Sequence, residues 1–465
     1  MAVALNDGWY KSQTEIAYMK SRNIRSFGKI GDGIDVPNLT EVQRTSYRRF
    51  LQEDKLPEER ENSGFEGLLR EIFPIVSYDK NIQLEFIAYE LEKPRYTIQQ
   101  CRELRLTYGY PLKIRCRLTR KNADDIPEQP IYLGEMPVMI GGGEFIINGA
   151  ERVIVNQLHR SPGVDFSVDT RESGDRIMHG CRIIPERGSW IELSVTRKDV
   201  LIVRIDQSSK IPATIFLRAM SEELGTTEAI IRHFYKTKTA KTKRLDPEMW
   251  TVGPIVDTET GEILVDAGCQ LGEAVAAIQG SSIESIEVIK DAKDPLILNT
   301  LAEDGCESYE DAVLKIYARL RPGNPAQIEK AKQLFTEKFY DANRYRLGKV
   351  GRFRLNRKFG LKIDESDMVL KPEDFLNTMK YIVALRNGEG SLDDIDHLGN
   401  RRLRTIDELA ADEVRKGLLK LRRTVQERMS MKSPEDVARI ADLVNSKSVS
   451  SSIDYFFGRG ELSQV

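Results

Sequence analysis

The sequence predicts a multidomain α+β protein in which strands and helices are mixed. Its 465 residues are enough for about two or three domains that each bury a core. Strand-like alternation of apolar and polar residues occurs in the first half of the chain, whereas amphipathic helices are predicted near its end. A composition of 40% hydrophobic and 31% charged residues is ordinary for a globular protein.

Three segments carry the strand signals. Pro111–Thr119 alternates apolar with basic residues, which predicts a half-exposed strand. Ile191–Asp206 is predicted to form a hairpin around a polar turn at 197–199. A tighter hairpin is predicted at Asn148-Gly149, because both residue types tolerate positive φ. The polar and basic tail that follows, up to Gly163, suits contact with nucleic acid, and an ordinary hairpin with a polar exit is the alternative.

Helices are predicted from about Thr40 to Leu51 and again near the end of the chain. Thr405 and Glu408 have capping-box spacing and would begin the second of these helices. One face of that helix is apolar and is predicted to be buried in a core. The residues of this stripe are Ile406, Leu409, Val414, Leu418, Leu421, Val425 and Met429.

The charge of the chain is distributed unevenly, although its formal net charge is only −2. The run 344–362 contains eight cations and no acid, with aromatic and glycine residues between them. A second run consists of Arg401, Arg402 and Arg404, and a third, 232–244, resembles a solvated Lys/Thr-rich loop. Each run is consistent with a hydrated surface, and the first is equally consistent with phosphate contact.

Several classes of protein and site are disfavoured by the sequence. The N-terminus has neither a long apolar run nor a signal-cleavage pattern, which predicts a cytoplasmic protein. The five cysteines include no CxxC pair, which argues against structural zinc. A GxxxxGK[ST] phosphate loop is missing. Three acids, Asp393, Asp394 and Asp396, could form a metal cluster, but balancing Arg401 and Arg402 is the simpler interpretation.

Seven blocks of the sequence occur in an ordered series that spans more than 300 residues. They are GEFIINGAERVIVNQLHRSPG (143–163), YLGEMPVM (132–139), RIIPERGSW (182–190), IPATIFLRA (211–219), RLRPGNP (319–325), DIDHLGNRRLRT (394–405) and FFGRGELSQ (456–464). These blocks resemble the N-terminal part of the second-largest catalytic subunit, the β subunit, of bacterial RNA polymerases, and their number and order make chance similarity negligible.

This resemblance implies a discontinuous protrusion domain with an inserted lobe domain, which together form one jaw of the polymerase cleft. The implied order is an N-terminal arm at 1–29, the first part of the protrusion at 30–145, the lobe at 146–388, the second part of the protrusion at 389–458 and the start of a truncated fork region at 459–465. Within the lobe, 236–294 has the character of a lineage-variable inserted module.

The resemblance also implies two sites and one stacking residue. Arg160, Ile395, Asp396 and Arg401 match a pocket for an unpaired nontemplate-strand base, and Trp190 matches a tryptophan that stacks on a neighbouring base. A partly buried core tryptophan is the alternative for Trp190. A rifamycin pocket beside the RNA path is matched in part by Arg152, Val155, Gln157, Leu462, Ser463 and Gln464. Arg459-Gly460-Glu461 and Val465 depart from the usual family text, so the resemblance does not imply antibiotic sensitivity.

The expected function is that of a polymerase subunit segment which is not catalytic alone. The family places magnesium in the partner largest subunit, so no cofactor is expected to bind this segment. Expected partners are DNA, nascent RNA, the β′ subunit, the α dimer, ω and a sigma factor. The alternative is a stand-alone, non-enzymatic nucleic-acid-binding or scaffold protein built from the same two domains.

Overall fold

The computed structural model describes residues 38–121, 126–169, 177–208, 210–257, 261–289, 291–432, 437 and 439–465. The described residues mix helices with strands, which confirms the α+β prediction. The helices are α1 Glu41–Leu51, α2 Gly64–Ile72, α3 Ile98–Leu104, α4 Ala213–Met220, α5 Thr227–Phe234, α6 Ala274–Gly280, α7 Leu296–Asp304, α8 Tyr309–Leu320, α9 Ile328–Phe339, α10 Gly348–Phe359, α11 Pro372–Arg386, α12 Ile406–Met431 and α13 Lys447–Gly458.

The strands are short in most of the chain and long only at β2, β3 and β4. Their bounds are β1 Ile75–Val76, β2 Ile82–Leu91, β3 Gly109–Arg120, β4 Ile126–Pro137, β5 Phe145–Ile147, β6 Ala150–Ile154, β7 Gln157–Arg160, β8 Gly163–Asp169, β9 Met178–Ile184, β10 Ile191–Val195, β11 Leu201–Ile205, β12 Ile211–Pro212, β13 Thr237–Lys241, β14 Ile255–Val256, β15 Ile263–Val265, β16 Ser285–Ile289, β17 Arg401–Arg404 and β18 Ser463–Gln464.

The chain divides into two compact units, and the first is discontinuous. Unit 1 comprises Met1–His159 with Leu403–Val465, and unit 2 comprises Arg160–Arg402. Both divisions fall later in the chain than the boundaries predicted at 145/146 and 388/389. The segment 389–402 belongs to unit 2, where the Asp393 amide donates to the Phe166 carbonyl at 2.9 Å. The N-terminal arm expected at 1–29 lies outside the described residues.

Unit 1 builds one core from its two chain segments. Its sheet has the order β1-β2-β3-β4 and is antiparallel throughout. The rings of Phe145 and Phe457 lie 4.9 Å apart, so β5 and α13 share this core. In β3, Leu112, Ile114, Cys116 and Leu118 are completely buried, as the alternation predicts.

Helix α12 confirms the predicted stripe, whereas the predicted capping box is wrong. All seven stripe residues are buried. However, the Thr405 side chain caps no backbone amide of the helix and instead donates to the Asp407 carboxylate. Glu408 forms an ion pair with Arg404 at 3.6 Å. Asp407 and Arg404 therefore hold the two side chains on which the capping prediction relied.

Unit 2 contains a five-stranded antiparallel sheet in the order β12-β11-β10-β9-β8. The predicted hairpin is formed by β10 and β11, with Ile191 opposite Ile205 and Val195 opposite Leu201. Phe216 of α4 packs against Phe339 and Phe375, at ring distances of 5.1 and 4.8 Å. Helices α9 and α11 thus join α4 in one core.

Residues 236–294 include a small module with its own apolar cluster. Strand β13 pairs with β16, and β14 pairs with β15. Ile255, Val265, Leu271, Ile278, Ile286 and Val288 form the buried cluster. Among the described residues, no helix of the protein is both long and apolar enough to cross a membrane.

Candidate nucleic-acid interface

Unit 2 brings the predicted nontemplate-pocket residues onto two adjacent backbone segments. The Ser161 amide donates to the Asn400 carbonyl at 3.0 Å, which places the preceding Arg160 near the following Arg401. The Arg401 guanidinium lies 3.4 Å from the Asp396 carboxylate, and the side chain of Asp396 is 87% exposed. Ile395 is half-buried between two exposed aspartates. The four residues thus combine donors, an acceptor and an apolar group in one region.

Helix α10 ties these two segments together through Arg354. Its guanidinium donates to the Ser161 carbonyl at 3.0 Å, to the Asn400 side chain at 3.0 Å and to the Asp165 carboxylate at 2.8 Å. Asp165 is buried. Burial raises the pKa of Asp165 even though the Arg354 guanidinium opposes the rise. Arg354 therefore both neutralises a buried carboxylate and fixes the approach of two segments.

A second cation of α10, Lys358, forms an ion pair with the acidic loop, which is the segment 393–396. The Lys358 ammonium lies 2.8 Å from one Asp393 oxygen, and the Phe166 amide donates to the other at 3.0 Å. Asp394 has a different task, since its carboxylate accepts from the Asp396 amide at 2.9 Å. The three carboxylates thus have separate partners, and no group of three metal-ligating side chains occurs among the described residues.

The basic run 344–362 lies partly inside unit 2 and partly on its surface, which limits its interpretation as a hydrated or phosphate-binding face to the exposed cations. Arg352 and Asp374 form a completely buried ion pair at 2.7 Å. Five of the eight cations have acidic partners; they are Arg344, Arg346, Arg352, Arg354 and Lys358. Lys349, Arg357 and Lys362 are exposed and form no ion pair with a described residue. The lack of acids within the run reflects partners that lie elsewhere in the sequence.

The run 232–244 is not the solvated loop that its composition suggests, because it contains strand β13. Arg232 pairs with Glu287 of β16 at 2.9 Å. Five further cations are exposed and form no ion pair with any residue that the structure describes; they are Lys236, Lys238, Lys241, Lys243 and Arg244. Lysines on an edge strand also discourage pairing with another chain.

Trp190 precedes β10 and is held by its backbone. Its amide donates to the Asp206 carboxylate at 3.0 Å, and its carbonyl accepts from the Asp206 amide at 3.0 Å. The side chain is half-buried. Gly188 has a φ of +125°, and a Cβ there would lie 2.8 Å from the Tyr345 ring. This backbone is consistent with both a stacking and a core tryptophan.

Unit 1 brings together the residues predicted for the rifamycin pocket. Strand β18 pairs with β6, so that Ser463 lies opposite Ile154 and Gln464 opposite Val153. Arg152 donates to the Ser463 carbonyl at 3.5 Å, and the Val155 amide donates to the Leu462 carbonyl at 2.8 Å. Gln157 accepts from Arg404 at 3.5 Å.

The hairpin that precedes this cluster has the predicted turn. Asn148 and Gly149 have φ values of +51° and +81°, as two-residue hairpin loops of this type require. A Cβ on Gly149 would lie 2.8 Å from the Arg105 Cα. The turn thus packs closely on the end of α3, and β6 is placed beside β18.

Comparison with known proteins identifies the family. Residues 38–141 match the family described as RNA polymerase beta subunit, and residues 286–404 match RNA polymerase Rpb2, domain 2. The chain is 54% identical over 459 residues, 96% of its length, to the DNA-directed RNA polymerase subunit beta of Rhodopirellula baltica. These matches place the chain in the RNA polymerase β-subunit family.

Other relatives in this family are more distant. The chain is 37% identical over 521 residues to the DNA-directed RNA polymerase subunit beta of Sorangium cellulosum and 35% identical over 520 residues to that of Citrifermentans bemidjiense. Each alignment covers 95% of the chain. The chain spans 37% of the length of each of the three relatives. The two matched domains correspond to the protrusion and the lobe.

Several residues that shape the candidate interface were missed at the level of sequence. Arg354 and Lys358 were visible only as part of a basic run, and Asn400 and Asp206 carried no signal. A cation at 354 and another one turn later, at 358, share a helix face. The spacing of four residues could have suggested that Arg354 and Lys358 face one acidic surface. It could not have shown which acidic residues form that surface.

Proposed function

We propose that the chain acts as the N-terminal part of a bacterial RNA polymerase β subunit, where it contacts DNA and RNA and performs no chemistry alone. The observation that carries this proposal is the identity of 54% over 96% of the chain with a β subunit. In the proposal, protrusion and lobe contribute one jaw of the cleft that holds downstream DNA and melted strands.

Arg160, Ile395, Asp396 and Arg401 are proposed to receive an unpaired base of the nontemplate strand. The chemistry supports this role, because arginine donates to a guanine edge and a carboxylate accepts from base amino groups. The 3.4 Å pair of Arg401 and Asp396 presents both kinds of group at an exposed position. Trp190 is proposed to stack on the neighbouring base, a contact typically worth about 1–3 kcal/mol.

Arg152, Val155, Gln157, Leu462, Ser463 and Gln464 are proposed to line part of a rifamycin pocket on the RNA side. Their support is the pairing of β6 with β18, which gathers residues that are about 310 positions apart, as the separation of 311 between Arg152 and Ser463 illustrates. Arg152 is half-buried and donates to the Ser463 carbonyl, whereas Gln464 is exposed. The cluster therefore combines a partly buried guanidinium with an accessible side-chain amide.

Catalytic magnesium is assigned in this proposal to the partner β′ subunit. The acid triplet of this chain does not fit the ion, since Asp393 is occupied by Lys358 and the three carboxylates have different partners. Metal ions in two-metal phosphoryl transfer need converging acids. The remaining proposed partners are the α dimer, ω and a sigma factor, in the bacterial cytoplasm.

The test uses a polymerase assembled with this chain as the N-terminal part of its β subunit. Trp190→Ala should weaken binding of fork DNA with a single-stranded nontemplate extension by about 5- to 150-fold, the equivalent of one lost stacking contact. Binding of fully duplex DNA should change much less. Equal losses on both DNAs would contradict the stacking role and favour a core tryptophan.

A further inference from the structure

A cleft of about 320 Å³ opens in unit 2 beside the backbone of Trp190. It combines apolar side chains with a cationic rim. Its lining residues are Ser189, Leu320, Arg321, Leu334, Lys338 and Arg344. The volume lies near the lower end of small-molecule sites, about 300–1,000 Å³, so the cleft suits one small polar ligand.

Three cations line the cleft, and one of them has no acidic partner among the described residues. Lys338 lies 3.3 Å from the Asp206 carboxylate, and Arg344 lies 3.1 Å from that of Glu337. Arg321 is exposed and forms no ion pair with any residue that the structure describes. The lining is therefore net positive and retains a guanidinium for an anion. Arginine is well suited to phosphate because its planar fork donates two hydrogen bonds at once.

The apolar part of the lining is formed by Leu320 and Leu334, which are half-buried. Two leucine side chains present a surface for a flat apolar ring, and three cations belong to the same lining. A nucleotide has the same division between an aromatic base and a charged phosphate. A protein partner is less suited, since interfaces between proteins are depleted of lysine at their centres.

The cleft is linked directly to Trp190. Ser189, which lines the cleft, precedes Trp190 in the chain. Asp206 accepts from the Trp190 amide at 3.0 Å and from Lys338 at 3.3 Å. One carboxylate thus holds both the backbone of the tryptophan and a cation of the cleft.

We propose that this cleft binds one nucleotide unit of single-stranded DNA, next to the base stacked on Trp190. The base lies against Leu320 and Leu334, and Arg321 binds the phosphate. This inference rests on the proposed stacking role of Trp190 and adds a second subsite to it. A free mononucleotide offers the same chemistry, and the experiment separates it from a strand.

The test measures binding of the 465-residue chain to a fluorescent single-stranded decanucleotide by anisotropy. Arg321→Gln should raise Kd about 10- to 150-fold, as expected for one charge-assisted contact. It should also reduce the slope of log K against log salt by about 0.7, the value for one phosphate of a single strand. Arg319→Gln is the matched control, because Arg319 is equally an exposed arginine but does not line the cleft; it should bind as the wild type does.

A second variant tests the apolar surface. Leu334→Ser should weaken binding of the normal oligonucleotide but leave binding of an abasic oligomer unchanged, because that strand has no base to place in the cleft. Thermal unfolding of each variant shows that it is folded. An equal loss on both strands would overturn the assignment of the base to this surface.

The outcomes also separate this subsite from the proposed function. If Trp190→Ala weakens the strand and Arg321→Gln does not, the cleft is overturned while the stacking role stands. Equal losses of affinity in Arg321→Gln and Arg319→Gln would show that only the overall positive charge matters, and this result would also overturn the assignment of the cleft. Displacement by free dTMP as effective as that by the oligonucleotide would assign the cleft to mononucleotides instead. A wild-type chain that binds no single strand would contradict both proposals.

Discussion

Replacement of Arg354 by methionine should destabilise unit 2 by about 3 kcal/mol. Truncating one partner of a buried ion pair typically costs about 3–5 kcal/mol. We expect the lower end here, because the Arg354 side chain is 18% exposed while that of Asp165 is only 5% exposed. The loss combines an uncompensated carboxylate with unpaired carbonyls at Ser161 and Pro162, which accept from the same guanidinium.

The destabilisation should depend on pH in a defined direction. Burial raises the pKa of Asp165, and Arg354 is the largest opposing influence, so its removal raises that pKa further. A carboxyl group whose pKa is higher in the folded than in the unfolded state stabilises folding at low pH, and this contribution is lost as pH rises through the folded pKa. The difference in unfolding free energy between wild type and Arg354→Met should therefore be largest at pH 7 and smaller at pH 4.5.

Urea unfolding followed by tryptophan fluorescence measures this difference. In a Trp9→Phe background, the remaining tryptophans, Trp190 and Trp250, both belong to unit 2. Arg357→Met is the matched control, since Arg357 is exposed on the same helix and has no ion pair with a described residue; it should change stability by less than about 0.5 kcal/mol. A loss in Arg354→Met that is under 1 kcal/mol, or equal at both pH values, would refute the argued role of the pair.

Three further outcomes are expected. Gly149→Ala should destabilise unit 1 by about 1–3 kcal/mol in urea unfolding, because Gly149 has a φ of +81° and its Cβ would lie close to the Arg105 Cα. Gly458→Ala is the control and should be neutral or slightly stabilising, since a Cβ there would meet only Ile147, at 3.5 Å. Similar losses in both variants would contradict the argument that the turn requires glycine. Arg218→Met should cost about 3–5 kcal/mol by removing the partner of buried Asp304, and adding Asp304→Leu should recover part of the loss; a further loss would argue against an uncompensated charge. The purified chain should incorporate no nucleotide on a primed template. Incorporation by the chain alone would contradict the assignment of nucleotide addition to another subunit.

Sequence reasoning succeeded where the signal was local. The alternation in β3 and the stripe in α12 each report burial on one face of one element, and Asn148-Gly149 reports a backbone requirement of one turn. Such patterns need no knowledge of distant residues. The class of the fold and the hairpin beside β18 therefore followed from the sequence, whereas α10 and β17, which carry residues of the candidate interface, did not.

The failures concern partners that are distant in the chain. Arg354 and Asp165 are 189 residues apart, so a run of cations gave no sign that its members were already paired. The capping-box prediction at Thr405 failed because the nearby Asp407 carboxylate accepts the hydrogen bond of the hydroxyl that a capping box would use. The candidate site residues were supplied by resemblance to a family, because single polar residues such as Asp396 carry no periodicity.

The two cations of α10 also suggest an order of folding. The pair of Lys358 and Asp393 closes 35 residues, while that of Arg354 and Asp165 closes 189. Loop entropy makes the longer closure costlier by about 1.5 kcal/mol for a flexible chain. We expect the contact between α10 and the acidic loop to form first. The contact between α10 and the segment 161–165 should form only when the rest of unit 2 has folded. During synthesis and refolding, the proposed binding surface would thus be the last part of its domain to assemble.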